Sequence, residues 1–418
     1  MQRLWSASLV AFVVAAAGGV LFRGGMIDGF SLGFVPNHIR HAHSHLMLMG
    51  WATPALMTLI VTSWARRGAR APRGTAATIW IAWGLAMASF APFLLHGYKS
   101  FDVGFARMPV AAIVSGLCIL SWYAFAAIYV RATRGVVRDA ALRCFDVAVF
   151  FLCISSLGAW AEGMLMALKV TDTFWLALMI HFFVDLFGEG WLMIGLLGLM
   201  YAWLPGEEPR FVGRYLALMV AGLGTLFFLG MPSAMVEAGL RAAGHVGALL
   251  VGLGMLGHLK ALWPRMRAQR SLLWTVVAAM LVLKTAAFFA AAMPPVLAWA
   301  SSAGLRLIYL HLGFLGFGSI ALVALARHVW GKRAFGGAEF FAGACLFLLA
   351  TLVPLSGLWP VALGGRWTLW LAAIGAALPG LVVLGQMVAW RKVCAPGVGA
   401  QNLRTPGPKM ALTGAKKE

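Results

Sequence analysis

The sequence predicts an all-α polytopic membrane protein with about twelve transmembrane helices. Of its 418 residues, 62% are hydrophobic and only 11% are charged, a composition outside the range of soluble proteins. Apolar runs long enough to cross a bilayer recur along nearly the whole chain. The predicted spans are 5–22, 43–63, 76–97, 108–130, 143–168, 173–203, 212–232, 240–262, 271–299, 304–327, 338–358 and 368–391.

The distribution of basic residues predicts the topology. The formal net charge of +20 does not indicate a nucleic-acid partner, because the basic residues gather in alternate loops between spans. By the positive-inside rule these loops are cytoplasmic, and an even number of spans then places both termini there as well. We therefore expect a protein integral to a bacterial inner membrane, with some attraction to anionic lipid. The loops are marked by Arg66, Arg67, Arg70 and Arg73; Arg131, Arg134, Arg138 and Arg143; Arg210 and Arg214; Lys260, Arg265, Arg267 and Arg270; and Arg327, Lys332 and Arg333.

The chain divides into one membrane domain and a tail. Residues 1–393 hold all the predicted spans and form the transmembrane helical domain. Residues 394–418 contain Pro, Gly and Lys without apolar periodicity. Such a segment cannot bury enough apolar surface to fold, so we expect a disordered cytoplasmic tail.

Histidines gather at one end of three predicted helices. The stretch "NHIRHAHSHLMLMGW" contains four of them, and the predicted topology places it at the outer end of the second helix. His181 and His311 fall about two turns into the sixth and tenth helices, which begin on the same side. Imidazoles at similar depth on several helices are what a metal centre in a bundle needs. The alternative is a polar helix end without chemistry. The four residues are His38, His41, His43 and His45.

Spacing decides which of these histidines can act together. His43 and His45 are two residues apart on a helix and point in nearly opposite directions, so only one of them can face His311. His41 and His45 are four apart and share the other face. Those two could hold a metal as a pair, or merely solvate the helix end.

Acidic residues accompany the histidine of the sixth helix. Asp185 follows His181 by four residues on the same helical face, and Glu189 follows by eight. A charged residue at the centre of a membrane helix costs about 2.5–3.5 kcal/mol on insertion scales, so such groups usually have partners and a function. Glu162 and Lys284 are further membrane-embedded candidates. Their alternative role is an internal ion pair that stabilises the bundle.

These motifs resemble the catalytic subunit of the haem–copper oxidase superfamily, and the nitric oxide reductase branch most closely. In that family the second helix carries an arginine and, three residues later, a histidine that binds low-spin haem b; Arg40 and His43 match this motif. The sixth helix of the reductases carries a histidine with glutamates four and eight residues later. His181, Asp185 and Glu189 reproduce this spacing, with Asp in place of the first Glu.

The tenth and seventh helices depart from the family pattern. The family has His-x-His in the tenth helix, for high-spin and low-spin haem respectively, whereas this chain reads Tyr309-Leu310-His311. The adjacent histidine pair of the seventh helix is absent from "GTLFFLGMP", where the corresponding positions fall near Thr225 and Leu226. The low-spin haem site is therefore complete by resemblance, and the dinuclear reaction site is dismantled.

The resemblance implies a set of cofactors and residue roles. His43 and His311 would bind low-spin haem b, with Arg40 at a propionate and Tyr309 as a candidate ligand for a second haem. A second metal, iron or copper, would use His181, Asp185 and Glu189, and these two carboxylates would be the catalytic residues. An electron donor, cytochrome c or a quinol, is implied as a partner.

Three functions remain open from the sequence. The first is a haem b membrane protein that transfers electrons or binds NO or O2, with little or no reduction of either gas because three family ligands are missing. The second is a membrane protein that handles or transports copper or zinc, since Met47 and Met49 lie beside the histidines and thioethers suit Cu(I). The third is a transporter whose midplane acids bind protons.

Overall fold

The chain is an all-α polytopic membrane protein, as predicted: in the residues that the structure describes, twelve helices are long and apolar enough to cross a membrane. The computed structural model describes residues 1–27 and 32–394, with side chains as far as residue 389. The predicted tail at 394–418 lies outside the described residues except for its first position. The spans are α1 Gln2–Gly24, α2 Pro36–Arg67, α3 Thr75–His96, α4 Val110–Thr133, α5 Ala140–Ala167, α6 Thr173–Trp203, α7 Val212–Gly230, α8 Ala238–Ala268, α9 Leu272–Ala292, α10 Arg306–Arg333, α11 Ala338–Leu355 and α12 Arg366–Ala389.

Two span boundaries differ from the sequence prediction in ways that matter for the site. Helix α2 begins at Pro36 rather than at 43, because proline fits the first turn of a helix, where no N–H donor is needed. The four histidines therefore stand on its first three turns. The predicted ninth span ends at Ala292, and Pro294–Ser302 forms a separate short helix. A two-stranded hairpin, β1 Phe101–Asp102 and β2 Arg107–Met108, closes the loop after α3.

Helices α2, α6 and α10 form the centre of the bundle. In α2 and α6, 83% of the most apolar window is buried, the highest share of the twelve. Residues 49–61, 185–201 and 315–326 of the three central helices are buried without a break. The turns that precede these stretches are only half-buried. The three helices therefore part at the end where each begins, which we call the histidine end, and pack tightly below it.

A π-helical segment marks the same depth in each central helix. The segments start directly after His45, Asp185 and His311. Their sequences, "LMLMGWA", "LFGEGWLM" and "LGFLGFGS", share a leucine at the start and a glycine four residues later that is followed by an aromatic residue. π-Helical turns within α-helices occur frequently at functional sites. The segments are Leu46–Ala52, Leu186–Met193 and Leu312–Ser319.

Tryptophan hydrogen bonds join the central helices at this depth. The indole N–H of Trp51 in α2 donates to Ser319 Oγ in α10 over 2.9 Å. The indole N–H of Trp191 in α6 donates to Thr53 Oγ1 in α2 over 3.2 Å. All four groups are buried, where an unpaired polar group would be expensive. The bonds hold the helices together just below the turns that carry the histidines.

Candidate functional site

His43 is fixed against the neighbouring helix α1 through one ring nitrogen. Its Nδ1 lies 2.7 Å from the carbonyl oxygen of Ala15. A carbonyl can only accept, so Nδ1 carries the proton and Nε2 keeps its lone pair. The close approach depends on Gly19, where an added Cβ would lie 3.0 Å from His43 Cε1. No described residue is a hydrogen-bond partner of Nε2.

His311 has the same arrangement on α10. Its Nδ1 lies 2.9 Å from the Leu307 carbonyl oxygen one turn earlier, and its Nε2 has no hydrogen-bond partner in the described part of the chain. The two imidazoles are within electrostatic range of each other. The Nδ1 atoms of His38 and His245 also lie within hydrogen-bond distance of a backbone carbonyl oxygen. This contact alone therefore does not identify a ligand, but two such imidazoles within electrostatic range of each other, with no partner for Nε2 among the described residues, form a candidate pair.

Arg23, at the end of α1, is a third member of this region that the sequence reasoning missed. Its side chain is almost fully buried, with 9% of the residue exposed, and it lies within electrostatic range of both His43 and His311. Its contacts are Met26 Sδ at 3.9 Å and the ring of Phe22. No carboxylate pairs with it among residues 1–27 and 32–394. Only its position as a lone cation at the end of an apolar span could have signalled it.

Arg40, the residue expected at a haem propionate, lies on the surface. It is exposed, whereas the arginine near the two imidazoles comes from α1. Its predicted role stays a prediction, and the buried guanidinium of Arg23 is the better placed of the two.

His45 points away from the candidate pair and is engaged at both nitrogens. Its Nε2 lies 2.8 Å from the Tyr98 hydroxyl, and its Nδ1 lies 3.4 Å from Ser115 Oγ. Burial, with a further contribution from Glu162, raises the pKa of Tyr98 above its ordinary value, so the phenol in contact with His45 stays protonated. The ring of His41 packs edge-on against Tyr98, with centroids 4.9 Å apart. This geometry favours His43 as the ligand and a structural role for His45.

The acidic side of the central helices contains a first ion-pair cluster, formed by His181, Asp185 and Arg306. The Arg306 guanidinium Nη2 is 2.9 Å from Asp185 Oδ1 and 2.9 Å from His181 Nδ1. His181 Nδ1 and Asp185 Oδ2 are 3.6 Å apart. The backbone of Gly230, at the end of α7, closes over them, since a Cβ there would lie 2.5 Å from His181 Nδ1. Sequence reasoning paired His181 with Asp185 but missed Arg306.

A second cluster lies one turn deeper and joins Glu189 to Lys284 and Tyr309. Lys284 Nζ is 2.5 Å from Glu189 Oε1, and the Tyr309 hydroxyl donates to the same oxygen over 2.9 Å. The ammonium group also stands over the Tyr309 ring, 3.4 Å from its centroid. Glu189 Oε2 is buried without a partner among the described groups. A cavity of about 10 Å³ borders both clusters, which is room for about one water molecule.

These contacts determine what the acidic side can bind. Asp185 and Glu189 each have their own cation, and the Tyr309 hydroxyl is turned to Glu189. In the described ranges, no three side chains of His, Cys, Asp or Glu converge as a metal site would need. As the side chains stand, the carboxylates of the predicted ligand set His181, Asp185 and Glu189 are held by Arg306 and Lys284, and a second metal there stays a prediction. The internal ion pair left open by the sequence is formed by Lys284, with Glu189 and not with Glu162.

In the seventh helix, Thr225 and Leu226 stand near the positions that the sequence resemblance assigns to a histidine pair. Thr225 Oγ1 donates to the Ala243 carbonyl oxygen of α8 over 2.9 Å, and Leu226 is buried. Neither side chain offers a metal ligand. This region of α7 packs against α8 and is structural.

No protein-family model matches this chain, and no curated protein matches it. A functional assignment therefore depends on the geometry of the residues themselves.

Proposed function

We propose that the chain is a haem b-binding membrane protein whose function is electron transfer, with His43 and His311 as the axial ligands. One observation carries this proposal. Two imidazoles on different central helices are within electrostatic range of each other, each with Nδ1 bonded to a backbone carbonyl and with no hydrogen-bond partner for Nε2 among the described residues. Metal-ligating histidines almost always donate their second ring N–H in this way, which fixes the ring and the tautomer.

The surroundings of the two imidazoles suit a haem. Both rings are half-buried although they lie in the central helices, because these helices part at the histidine end. On the α1 side, Gly18 and Gly19 present only backbone to His43. Arg23 supplies a buried positive charge beside the pair. The region thus offers two nitrogen ligands, a cation for an acidic substituent and low-dielectric walls, which together tune a haem potential.

Haem b bound by two imidazoles supplies a one-electron redox centre. The residues of this chain hold and orient it: Ala15 and Leu307 fix the ligand rings through their carbonyl oxygens. If both imidazoles held the haem, they would leave no open coordination position for NO or O2, which favours electron transfer over gas binding. Reduction of either gas needs a second metal beside the haem, and the cations on Asp185 and Glu189 argue against one.

Kinship with the haem–copper oxidases is part of the same proposal. It is supported by the twelve spans, the shared depth of the histidines and the spacing of His181, Asp185 and Glu189. We also propose a bacterial inner membrane with cytoplasmic termini, on the distribution of basic loops. A cytochrome c or a quinol as electron donor is implied by the kinship alone.

Copper or zinc handling has less support. Of the residues expected to bind such a metal, His45 has both nitrogens engaged, and Asp185 and Glu189 are ion-paired. The same ion pairs weaken the transporter alternative. Haem binding remains the function that uses the free nitrogens on the central helices.

The test is a reduced-minus-oxidised absorbance spectrum of the purified full-length chain and of three alanine variants, at His311, His43 and His45. The wild type should show a Soret band with split α and β bands of low-spin haem b. His311→Ala removes an axial ligand and should abolish the low-spin signal. His45→Ala is the matched control from the same end of the bundle, and it should keep most of the signal because His45 bonds only to Tyr98 and Ser115.

Two results would contradict the proposal. A wild-type chain that takes up no haem during expression with haem supplied would refute it directly. Loss of the signal in His45→Ala with retention in His43→Ala would show that the register of α2 at the haem is wrong by two residues.

A further inference from the structure

We infer that the Arg23 guanidinium binds a carboxylate of the haem, a propionate, and thereby positions the haem at the histidine end. This inference rests on the proposed function. Arg23 lies in the last turn of α1, and neither family motif of the second and tenth helices includes it. Its role follows from its burial and its neighbours.

The burial of Arg23 calls for an anion. An arginine is almost never fully buried unless it is paired, and an uncompensated buried charge is strongly destabilising. Only 9% of this residue is exposed. Its hydrogen-bond contact is a thioether, Met26 Sδ at 3.9 Å, which is a weak acceptor. Within the described ranges Arg23 has no ion pair.

The neighbours of Arg23 indicate which oxyanion. Arg23 lies four residues after Gly19, the residue of α1 that closely approaches His43, and therefore shares its helical face; it is also within electrostatic range of His43 and His311. A guanidinium forms bidentate hydrogen bonds with a carboxylate, and haem carries two propionate carboxylates. A lipid phosphate has the same oxyanion chemistry, but it would have to enter from the headgroup region, and the residue is nearly closed to the surroundings.

The experiment measures the midpoint potential of the haem in the full-length chain and in three variants. Arg23→Met removes the positive charge, Arg23→Lys keeps it, and Arg40→Met removes the exposed arginine that the sequence resemblance places at a propionate, so the two candidate arginines are compared directly. A positive charge near the haem disfavours the ferric form. Arg23→Met should therefore lower the potential, and a tenfold shift of the equilibrium corresponds to about 59 mV for one electron.

The variants separate binding at the haem from a structural role. We expect Arg23→Lys to restore most of the potential, and Arg40→Met to match the wild type. Retention of haem by Arg23→Lys with loss from Arg23→Met would equally support the inference. An unchanged potential in Arg23→Met would overturn it and leave a lipid phosphate as the oxyanion. Haem loss from both Arg23 variants while Arg40→Met stays loaded would also count against it, because lysine keeps the charge.

A wild type without haem would be a different failure. It would refute the proposed function itself, whereas the outcomes for Arg23 apply only to a chain that carries haem.

Discussion

Two sides of the same central helices differ in how their polar groups are paired. Towards α1, neither Nε2 of His43 and His311 nor the Arg23 guanidinium has a hydrogen-bonding or ionic partner of opposite character in the described part of the chain. Towards α9 and α7, the carboxylates of Asp185 and Glu189 are matched by Arg306 and Lys284. The imidazole side and the acidic side lie at similar depth in the bundle, and each is next to a π-helical segment.

The difference shows that depth and residue type alone do not make a binding site. Polar groups inside a membrane are expensive unless paired. On the acidic side the protein itself supplies a cation for each carboxylate. On the imidazole side the lone pairs and the cation have no partner among the described residues, and we propose that a haem with its carboxylates supplies them. The following variants test this contrast, in order of decreasing effect.

Removing the cation from the deeper cluster should cause the largest loss of stability. Lys284→Met leaves Glu189 buried without its ion-pair partner, and breaking a buried pair costs about 3–5 kcal/mol. The expected result is a marked fall in the thermal unfolding temperature in detergent, measured by scanning fluorimetry. The double variant Lys284→Met with Glu189→Gln should recover part of the loss, since no unpaired carboxylate remains. Equal stability of the single variant and the wild type would mean that Lys284 and Glu189 do not form a stabilising ion pair.

A larger side chain at Gly19, next to His43, should weaken haem binding although no proposed haem ligand is replaced. In Gly19→Val the added side chain would meet His43 Cε1 at about the 3.0 Å of the Cβ position and push the ring from the Ala15 carbonyl. Loss of such a supporting contact costs about 10- to 100-fold in affinity. Haem content per chain is the measurement. Gly84→Val is the matched control, because nothing lies within 4 Å of the Cβ position there, and a similar loss in both variants would contradict the account.

Removing the cation from the upper cluster should create a weak metal site. Arg306→Met leaves His181 and Asp185 as neighbours without a competing charge. The Arg306 side chain is 36% exposed, so its electrostatic effect is screened to about 1–2 kcal/mol, roughly tenfold in affinity for Zn²⁺. Calorimetric titration with Zn²⁺ should detect binding in this variant and not in the wild type. The double variant Arg306→Met with His181→Ala should lose it, and stoichiometric binding by the wild type would contradict the contrast.

The smallest effect is expected below both sites. Trp51→Phe deletes the hydrogen bond to Ser319 Oγ and should lower the free energy of unfolding by about 1 kcal/mol. Haem content should stay unchanged, because the bond lies below the ligands. A loss of haem with little change in stability would show that the π segments hold the ligand turns more directly than we propose. Trp80→Phe, an exposed indole in α3, serves as the control.

The membrane spans and the depth of the histidines within them were predictable, because both follow from the local sequence pattern. Twenty apolar residues define a membrane helix whatever surrounds it, and the helical period places His181 and Asp185 on one face. The start of α2 at Pro36 had a local signal too, the proline itself. The recurrence of leucine, glycine and an aromatic residue after His45, Asp185 and His311 was also visible in the sequence.

The partners of the polar groups could not be predicted in this way. Arg306 and Asp185 are 121 residues apart in the chain, and Lys284 and Glu189 are 95 apart. Such pairs depend on which helices are neighbours, and span count does not specify this. Whether a carboxylate is free for a metal or held by a cation is a tertiary property, and so is the freedom of an imidazole nitrogen.

The central claim is that the imidazole side takes one haem and the acidic side takes no metal. The most direct test combines pyridine haemochrome analysis with elemental analysis of one purified preparation of the full-length chain. The account predicts one b-type haem per chain, iron equal to that haem, and neither copper nor zinc in stoichiometric amount. Two haems per chain, or one further iron or copper that is lost in His181→Ala, would contradict it.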